Sequence, residues 1–170
     1  PIVSDNNEIA NTFIITKYKN LSERSGMIGK ASLYLKSINS LDGSDVRISK
    51  RGYIPYNRLR GFEKGKVGPI DNSDYIGGNY VGAINLSTNL PGIMTTIENL
   101  DFSYFIDIAN VWGVDYDNSI DNSNKLRSST GVALDILTPV GPLSFSLSTA
   151  ITSASSDKTE SFRFNLGTTF

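Results

Sequence analysis

Neither cysteine nor histidine occurs among these 170 residues. Thiol and imidazole nucleophiles or bases, His/Cys zinc sites and disulfides are therefore excluded. Serine, aspartate and tyrosine remain, but a serine nucleophile without a base partner would be unusual. No enzyme activity, no cofactor and no metal site is expected. The chemistry left to the chain is non-covalent pairing of guanidinium with carboxylate. Segment 39–79 supplies the cations, with Arg47, Lys50, Arg51, Arg58, Arg60, Lys64 and Lys66. Asp101, Asp107 and Asp135, in later segments, supply the anions. Arg60 has Leu59 on one side and Gly61-Phe62 on the other, which places a guanidinium on a flexible tip beside hydrophobic anchors. The formal net charge of −1 argues against nucleic-acid binding, whose footprint is strongly basic.

The acidic residues lie in segments that alternate with period two, the signature of strands with unlike faces. Residues 80–90 set Tyr80, Ile84, Leu86 and Leu90 against Ala83, Asn85, Ser87 and Asn89. Residues 98–112 set Leu100, Phe102, Tyr104, Ile106 and Ile108 against Asp101, Ser103, Phe105, Asp107 and Ala109. Residues 126–138 set Val132, Leu134 and Ile136 against Gly131, Ala133 and Asp135. Residues 143–151 set Leu143, Phe145 and Leu147 against Ser144, Ser146 and Ser148. The final segment, 160–170, sets Phe162, Phe164, Leu166, Thr168 and Phe170 against Ser161, Arg163, Asn165, Gly167 and Thr169. Weaker candidates are 26–38 and 8–19, the latter ambiguous because Phe13-Ile14-Ile15 is apolar on both faces.

The same alternation would serve a soluble barrel or sandwich with its apolar face turned inward. Two features favour an outward apolar face in contact with lipid. Between the first and last apolar residues named for each of the five good strands that face carries no Asp, Glu, Lys or Arg, and the other face is mostly small and uncharged. Connections near 20–25, 91–97 and 139–142 are short, whereas 39–79, 113–125 and 152–159 are long and polar. Outer-membrane barrels alternate short periplasmic turns with long extracellular loops in this way. No run of eighteen or more apolar residues occurs, so no transmembrane helix is expected. Pro1 opens directly onto polar sequence without a leader, as a processed piece of an exported protein would.

Segment 39–79 could fold back into the lumen and meet the acidic wall. It could equally stay outside, with its cations on lipopolysaccharide phosphates. Trp112, Tyr80 and Tyr104 suit interfacial girdles. The Asp/Asn-rich stretch 113–125 lacks the spacing and glycine of an EF-hand loop and reads as a solvated loop. Gly167 would permit a kink in the final strand, or simply leave room for a neighbouring aromatic.

At this point several motifs become recognisable. Leu59-Arg60-Gly61-Phe62 resembles the (V/L)RG(F/Y) motif of the outer-membrane assembly and two-partner-secretion superfamily, and Val67-Gly68-Pro69 and Gly77-Gly78-Asn79 follow in that order. The stretch Phe105 to Trp112 resembles the family's strand with an inward Asp and a Trp at its outer end. Leu126-Arg127 to Gly131, Thr138 to Leu143 and Phe162 to Phe170 resemble the strands that follow, the last being the terminal β-signal. These motifs cover residues 59–170 and are most similar to the outer-membrane protein assembly factors that form the central barrel of the BAM complex.

The resemblance implies an all-β antiparallel meander, the C-terminal part of a 16-stranded transmembrane barrel in the bacterial outer membrane. Residues 1–170 would be about seven of its strands, with loop 39–79 in the lumen and with the first barrel strands and POTRA domains lying upstream. It implies that Arg60, with Gly61 and Phe62, clamps the loop by pairing with Asp107. An inward Glu of the preceding strand is replaced here by Ser87, which would leave Arg60 a single carboxylate partner. The terminal strand, through Phe162, Phe164, Asn165, Leu166, Gly167 and Phe170, would form a lateral seam where client barrels add strands. Expected partners are unfolded outer-membrane proteins, BAM lipoproteins, and outer-membrane lipid and lipopolysaccharide. A two-partner-secretion pore is the alternative, and a passive porin a more distant one.

Overall fold

The computed structural model describes residues 8–93, 99–117, 119–120, 125–139 and 141–167. Alternating segments become strands β1 (Glu8–Ser22) and β2 (Met27–Ser40), then a short hairpin, β3 (Ile70–Asp71) and β4 (Asp74–Tyr75). The remaining strands are β5 (Tyr80–Asn89), β6 (Leu100–Trp112), β7 (Arg127–Thr138), β8 (Gly141–Thr152) and β9 (Phe162–Leu166). One seven-stranded antiparallel sheet runs in the order β1-β2-β5-β6-β7-β8-β9. Hairpin β3–β4 lies apart from it, inside the long loop between β2 and β5. Apart from a 3-10 turn at Ile48–Lys50, the described residues contain no helix, and none is long and apolar enough to cross a membrane. The sheet is not closed: β1 and β9 each have one edge without a strand partner among the described residues.

Register fixes which side chains share a face. Asp107 lies opposite Asn85 on β5 and Ser129 on β7, and Ser129 lies opposite Ala150 on β8. Arg163 lies opposite Ser146. Much of the inner face so defined is covered, with Ser32, Ser103, Ser129, Ser146 and Ser148 buried there, while Asp101 and Asp135 lie exposed in its open part. The other face is bare. Ile84, Leu86, Leu147, Phe162, Phe164 and Leu166 are exposed, and Phe102, Leu134 and Phe145 are only partly covered. A soluble barrel would show the reverse, with phenylalanines buried together and serines in solvent. An apolar belt facing hydrocarbon and a polar interior is the arrangement of a transmembrane wall.

At the outer ends of β5 and β6, Tyr80 and Trp112 are register partners whose rings stack with centroids 5.9 Å apart. Amphipathic rings of this kind suit the headgroup level. β1 is exposed along nearly its whole length, with Phe13 and Ile15 on the outer face and Ile14, opposite inward Tyr34, on the inner one. The doubly apolar Phe13-Ile14-Ile15 stretch is thus a regular strand at the sheet's edge.

The two faces make opposite demands on charge. Ile84→Arg on the outer face should destabilise the bilayer-inserted barrel by about 2–4 kcal/mol. Ser87→Arg, which lines the open part of the lumen, should change stability by less than about 1 kcal/mol. Urea unfolding of the full-length protein in lipid vesicles checks both.

Candidate functional site

The segment between β2 and β5 does not stay outside. It returns across the inner face, and its apolar residues supply what the sheet alone lacks, a packed interior. Ile54, Leu59, Phe62 and Val67 of the loop cluster with Tyr34, Val81, Ala83, Ala109 and Val111 of the wall. Phe62 is 1% exposed and bridges to Thr159 in the connection between β8 and β9. Backbone bonds reinforce that docking: Glu63 N–H donates to Lys158 O at 2.9 Å, Lys158 N–H to Lys66 O at 3.0 Å, and Glu160 N–H to Gly61 O at 3.1 Å.

At the centre of this docking, Arg60 meets Asp107 in a two-pronged pair. Nε donates to Oδ2 at 2.7 Å and Nη2 to Oδ1 at 2.8 Å, and the Arg60 backbone N–H adds a third bond to Oδ2 at 3.1 Å. The Asp107 side chain is fully buried and that of Arg60 is 20% exposed. The guanidinium carbon lies 3.4 Å from the centre of the Phe105 ring, whose negative face favours a cation. Fork-to-fork geometry of this kind adds direction as well as energy, and lysine could not reproduce it.

The second contact on the Asp107 carboxylate comes from Asn85 and not from Ser87. Ser87 lies opposite Phe105, one inward position away. Asn85 lies directly across from Asp107, and its Nδ2 is 2.8 Å from both Asp107 Oδ1 and the Arg58 carbonyl oxygen. A neutral amide therefore stands beside the pair and ties it to the loop backbone. Arg58 in turn donates to Ser32 Oγ at 2.7 Å and lies over the Tyr34 ring.

Asp101 and Asp135 behave differently from Asp107. They face each other across β6 and β7, Ser144 Oγ donates to Asp135, and among the described residues neither forms an ion pair with a loop cation. Acidity on the lumen face was too coarse a guide. Of these three carboxylates, Asp107, under the loop's apolar anchor, is the one paired with a loop cation among the described residues.

Gly61 explains the tightness of the tip. Its φ is +86°, a region L-residues rarely adopt, and an added Cβ would stand 3.0 Å from Ser129 Cβ. Gly167 is also sterically required, though against a different neighbour from the aromatic considered above. An added Cβ would come within 2.9 Å of the Pro142 ring, and Gly167 N–H donates to Pro142 O at 2.8 Å. Phe164 lies opposite Phe145 with ring centroids 5.0 Å apart, on the outer face between Phe162 and Leu166, while Asn165 faces inward opposite Ser144. Phe170, with Thr168 and Thr169, lies outside the described residues.

Arg51 and Arg163 brace the loop directly and Arg127 does so through Asp157, whose Oδ1 accepts the Gly68 N–H at 3.4 Å, and reading the motifs missed what each of them does. Arg51 pairs with Asp115 and donates to Val46 O at 3.0 Å and Gly113 O at 3.2 Å. Arg127 grips Asp157 with Nε to Oδ2 at 2.9 Å and Nη2 to Oδ1 at 3.1 Å, and reaches Asn110 Oδ1 at 2.7 Å. Arg163, on the inner face of β9, bonds to Glu160 and to two loop carbonyls. For Arg163 the legible signal was a charge at an inward position of an otherwise uncharged strand face.

Two outcomes follow from this geometry. Gly61→Ala forces a side chain into a left-handed backbone at a close approach, which should cost about 1–2 kcal/mol and expose the loop to protease in the folded barrel. The second concerns Asp115, outside the strands. Burial alone would raise its carboxyl, but the Val46 N–H, the Asn79 amide and the Arg51 charge outweigh that and hold it below the ordinary 3.8. A carboxylate depressed in the folded state contributes stability above its unfolded value, and that contribution disappears as pH falls through the lower folded value. Hydrogen exchange at residues 46–51, corrected for its intrinsic pH dependence, should therefore quicken as pH is lowered below about 4. Asp115→Asn should abolish that response.

Comparisons with known proteins agree with this architecture. The model of the Omp85 superfamily domain matches residues 2–170. The chain is 26% identical over 137 residues to the outer membrane protein assembly factor BamA of Neorickettsia risticii (strain Illinois), covering 79% of this chain and 18% of that protein. It is 29% identical over 140 residues to the BamA of Neisseria meningitidis serogroup B (strain ATCC BAA-335 / MC58), covering 66% of this chain and 17% of that protein. The chain thus spans under a fifth of the length of these curated relatives. The crystal structure of BamA from Haemophilus ducreyi lacking POTRA domains 1–3 superposes with a TM-score of 0.86 at 28% identity, over 100% of this chain and 36% of that one. An outward apolar belt, an inward loop seated on a buried carboxylate and a family model spanning almost every residue lead to one assignment: the chain belongs to the Omp85 superfamily, as part of an outer-membrane β-barrel.

Proposed function

We propose that this chain is the C-terminal wall, with its lumen loop, of an outer-membrane protein assembly factor. Residues 1–170 would belong to a 16-stranded barrel whose remaining strands and POTRA domains lie upstream. The observation that carries the proposal is the loop tip held on Asp107 by Arg60. A solvated loop needs no buried carboxylate, and a wall whose only task is to enclose water needs no loop packed into it as a core. Phe62, Leu59 and the Arg60–Asp107 pair together make a fixed plug against β5 to β8, next to the terminal strand.

In this reading β9 forms one side of a lateral seam and the first barrel strand forms the other. β9 spans five described residues, a short stretch to hold against a neighbouring strand. Where its outer edge parted from the first barrel strand, the freed N–H and C=O groups would be a template for another chain. A client barrel's own strand would add there by β-augmentation, with main-chain bonds giving affinity and alternate side chains giving register. Phe162, Phe164 and Leu166 supply the apolar side of that register, and Asn165 and Gly167 the lumen side. No covalent step is needed; the assembly factor would lower the barrier to pairing and insertion. The proposed partners are unfolded outer-membrane proteins, BAM lipoproteins, and outer-membrane lipid and lipopolysaccharide.

The test is a reversible lock. With no native cysteine in this chain, one engineered on β9 and one on the facing strand of the full-length protein would close the seam under oxidation. Client insertion into vesicles should stop when the bond forms and return on reduction. Full insertion with the seam locked rules the mechanism out. Arg60→Ala and Asp107→Ala should each impair insertion, and exchanging the two charges should restore part of it.

A further inference from the structure

The terminal strand carries a single charged side chain in its described part, Arg163, and the proposed function gives it no task. It points inward opposite Ser146 and its side chain is 9% exposed. A buried guanidinium must have its donors satisfied or it destabilises the fold. Arg163 satisfies two of them on the loop and one on Glu160, just before its own strand. Nη1 donates to the Tyr56 carbonyl, Nη2 donates to the Phe62 carbonyl, and Nε donates to Glu160 Oε1 at 2.5 Å. The two carbonyls bracket the stretch that contains Arg60. Glu160, which orients the fork, also donates its own backbone N–H to Gly61 O. Only a planar group with donors in several fixed directions can hold two carbonyls and a carboxylate at once, so arginine suits this position and lysine does not.

From these contacts we infer that Arg163 is a positioning residue that couples the docking of the lumen loop to the placement of β9. On one side the loop is anchored to β6 through Arg60 and Asp107. On the other it is anchored to β9 through the Arg163 fork. Displacing β9 relative to the loop breaks the two charge-assisted bonds to the Tyr56 and Phe62 carbonyls, and releasing the loop strands a buried guanidinium on β9. The loop and the terminal strand therefore shift together. The link itself stands on geometry, while its use during client insertion rests on the assembly reading.

Hydrogen exchange of the full-length protein in lipid nanodiscs tests the link, read at the amides of Phe162–Leu166 in the wild type, Arg60→Ala, Arg163→Met and the double variant. Arg60→Ala, some distance from β9 in sequence, should speed exchange in β9 by about tenfold. In the Arg163→Met background the same substitution should change it by less than about twofold, because the connection is already cut. Arg163→Lys, which can satisfy only part of the fork, should fall between. If Arg163→Met does not fold, Arg163→Gln gives the same comparison. Wild-type exchange in β9 of Arg60→Ala, or independent effects of the two substitutions, overturns the inference. Client insertion is measured in parallel on the same variants. Coupled exchange with undisturbed insertion contradicts the assembly reading alone. Insertion that depends on Arg60 without coupled exchange contradicts the link alone.

Discussion

A carboxylate with no access to water, on the inner face of a membrane-facing sheet, is the constraint around which this molecule is organised. Asp107 is fully buried. An isolated ionised carboxylate in such a place would be strongly destabilising, and removing one partner of a buried pair typically costs about 3–5 kcal/mol. The chain meets that demand with the guanidinium and backbone N–H of Arg60 and the amide of Asn85. Asn85 reaches Asp107 from the neighbouring strand, but Arg60 can do so only with the loop docked, and the docked loop requires Gly61 in a left-handed conformation against Ser129. Wall and loop are therefore one structure. The sheet provides a buried anion and the loop provides the cation that makes burying it tolerable.

The wall faces two solvents, and the loop resolves what that leaves open. Hydrocarbon covers the outer face, where Ile84, Phe164 and their neighbours need no protein partner. The inner face is small and polar, so a sheet of this composition has little hydrophobic core of its own. Ile54, Leu59, Phe62 and Val67 bring apolar side chains to the lumen side and pack on Val81, Ala83, Ala109 and Val111. Arginines then brace the loop, Arg51 on Asp115 and Arg163 on loop carbonyls, while Arg127 holds Asp157, which accepts the Gly68 N–H of the loop. Each is a multidentate arginine contact where a single point charge would be held less firmly. Such a loop is better described as an internal core than as a surface connection.

Much of this was legible in the residues. Strict alternation located the strands within a few residues of their observed bounds, because a period of two has one structural meaning when one face is apolar throughout. Alternation of short and long connections gave the hairpin order. The motif at Leu59 to Phe62 pointed to the tip, and Asp107 to its seat. What alternation could not supply was register. Asn85 and Ser87 share a face and differ only by one inward position, so placing Asn85 across from Asp107 required knowing how β5 slides along β6. Arg127 and Arg163 were visible as charges at inward positions, but their partners lie 30 residues away in one case and more than 100 in the other. Contacts across such separations depend on how the loop folds, and the loop has no periodicity to read. The doubly apolar stretch at Phe13 to Ile15 was ambiguous for a related reason: with apolar residues on both faces, alternation does not show which face turns inward, and it is register that puts Ile14 opposite inward Tyr34.

Whether Arg60 and Asp107 act as one unit is decided most directly by a double-mutant cycle on stability. Urea unfolding of the full-length protein in lipid vesicles would compare Arg60→Ala, Asp107→Ala and the two together. If the loop is held in the lumen by this pair, each single substitution should cost about 3–5 kcal/mol and the double variant scarcely more than either. Losses that simply add, to within about 0.5 kcal/mol, would mean that the two residues stabilise the barrel separately and that the loop is held by something else.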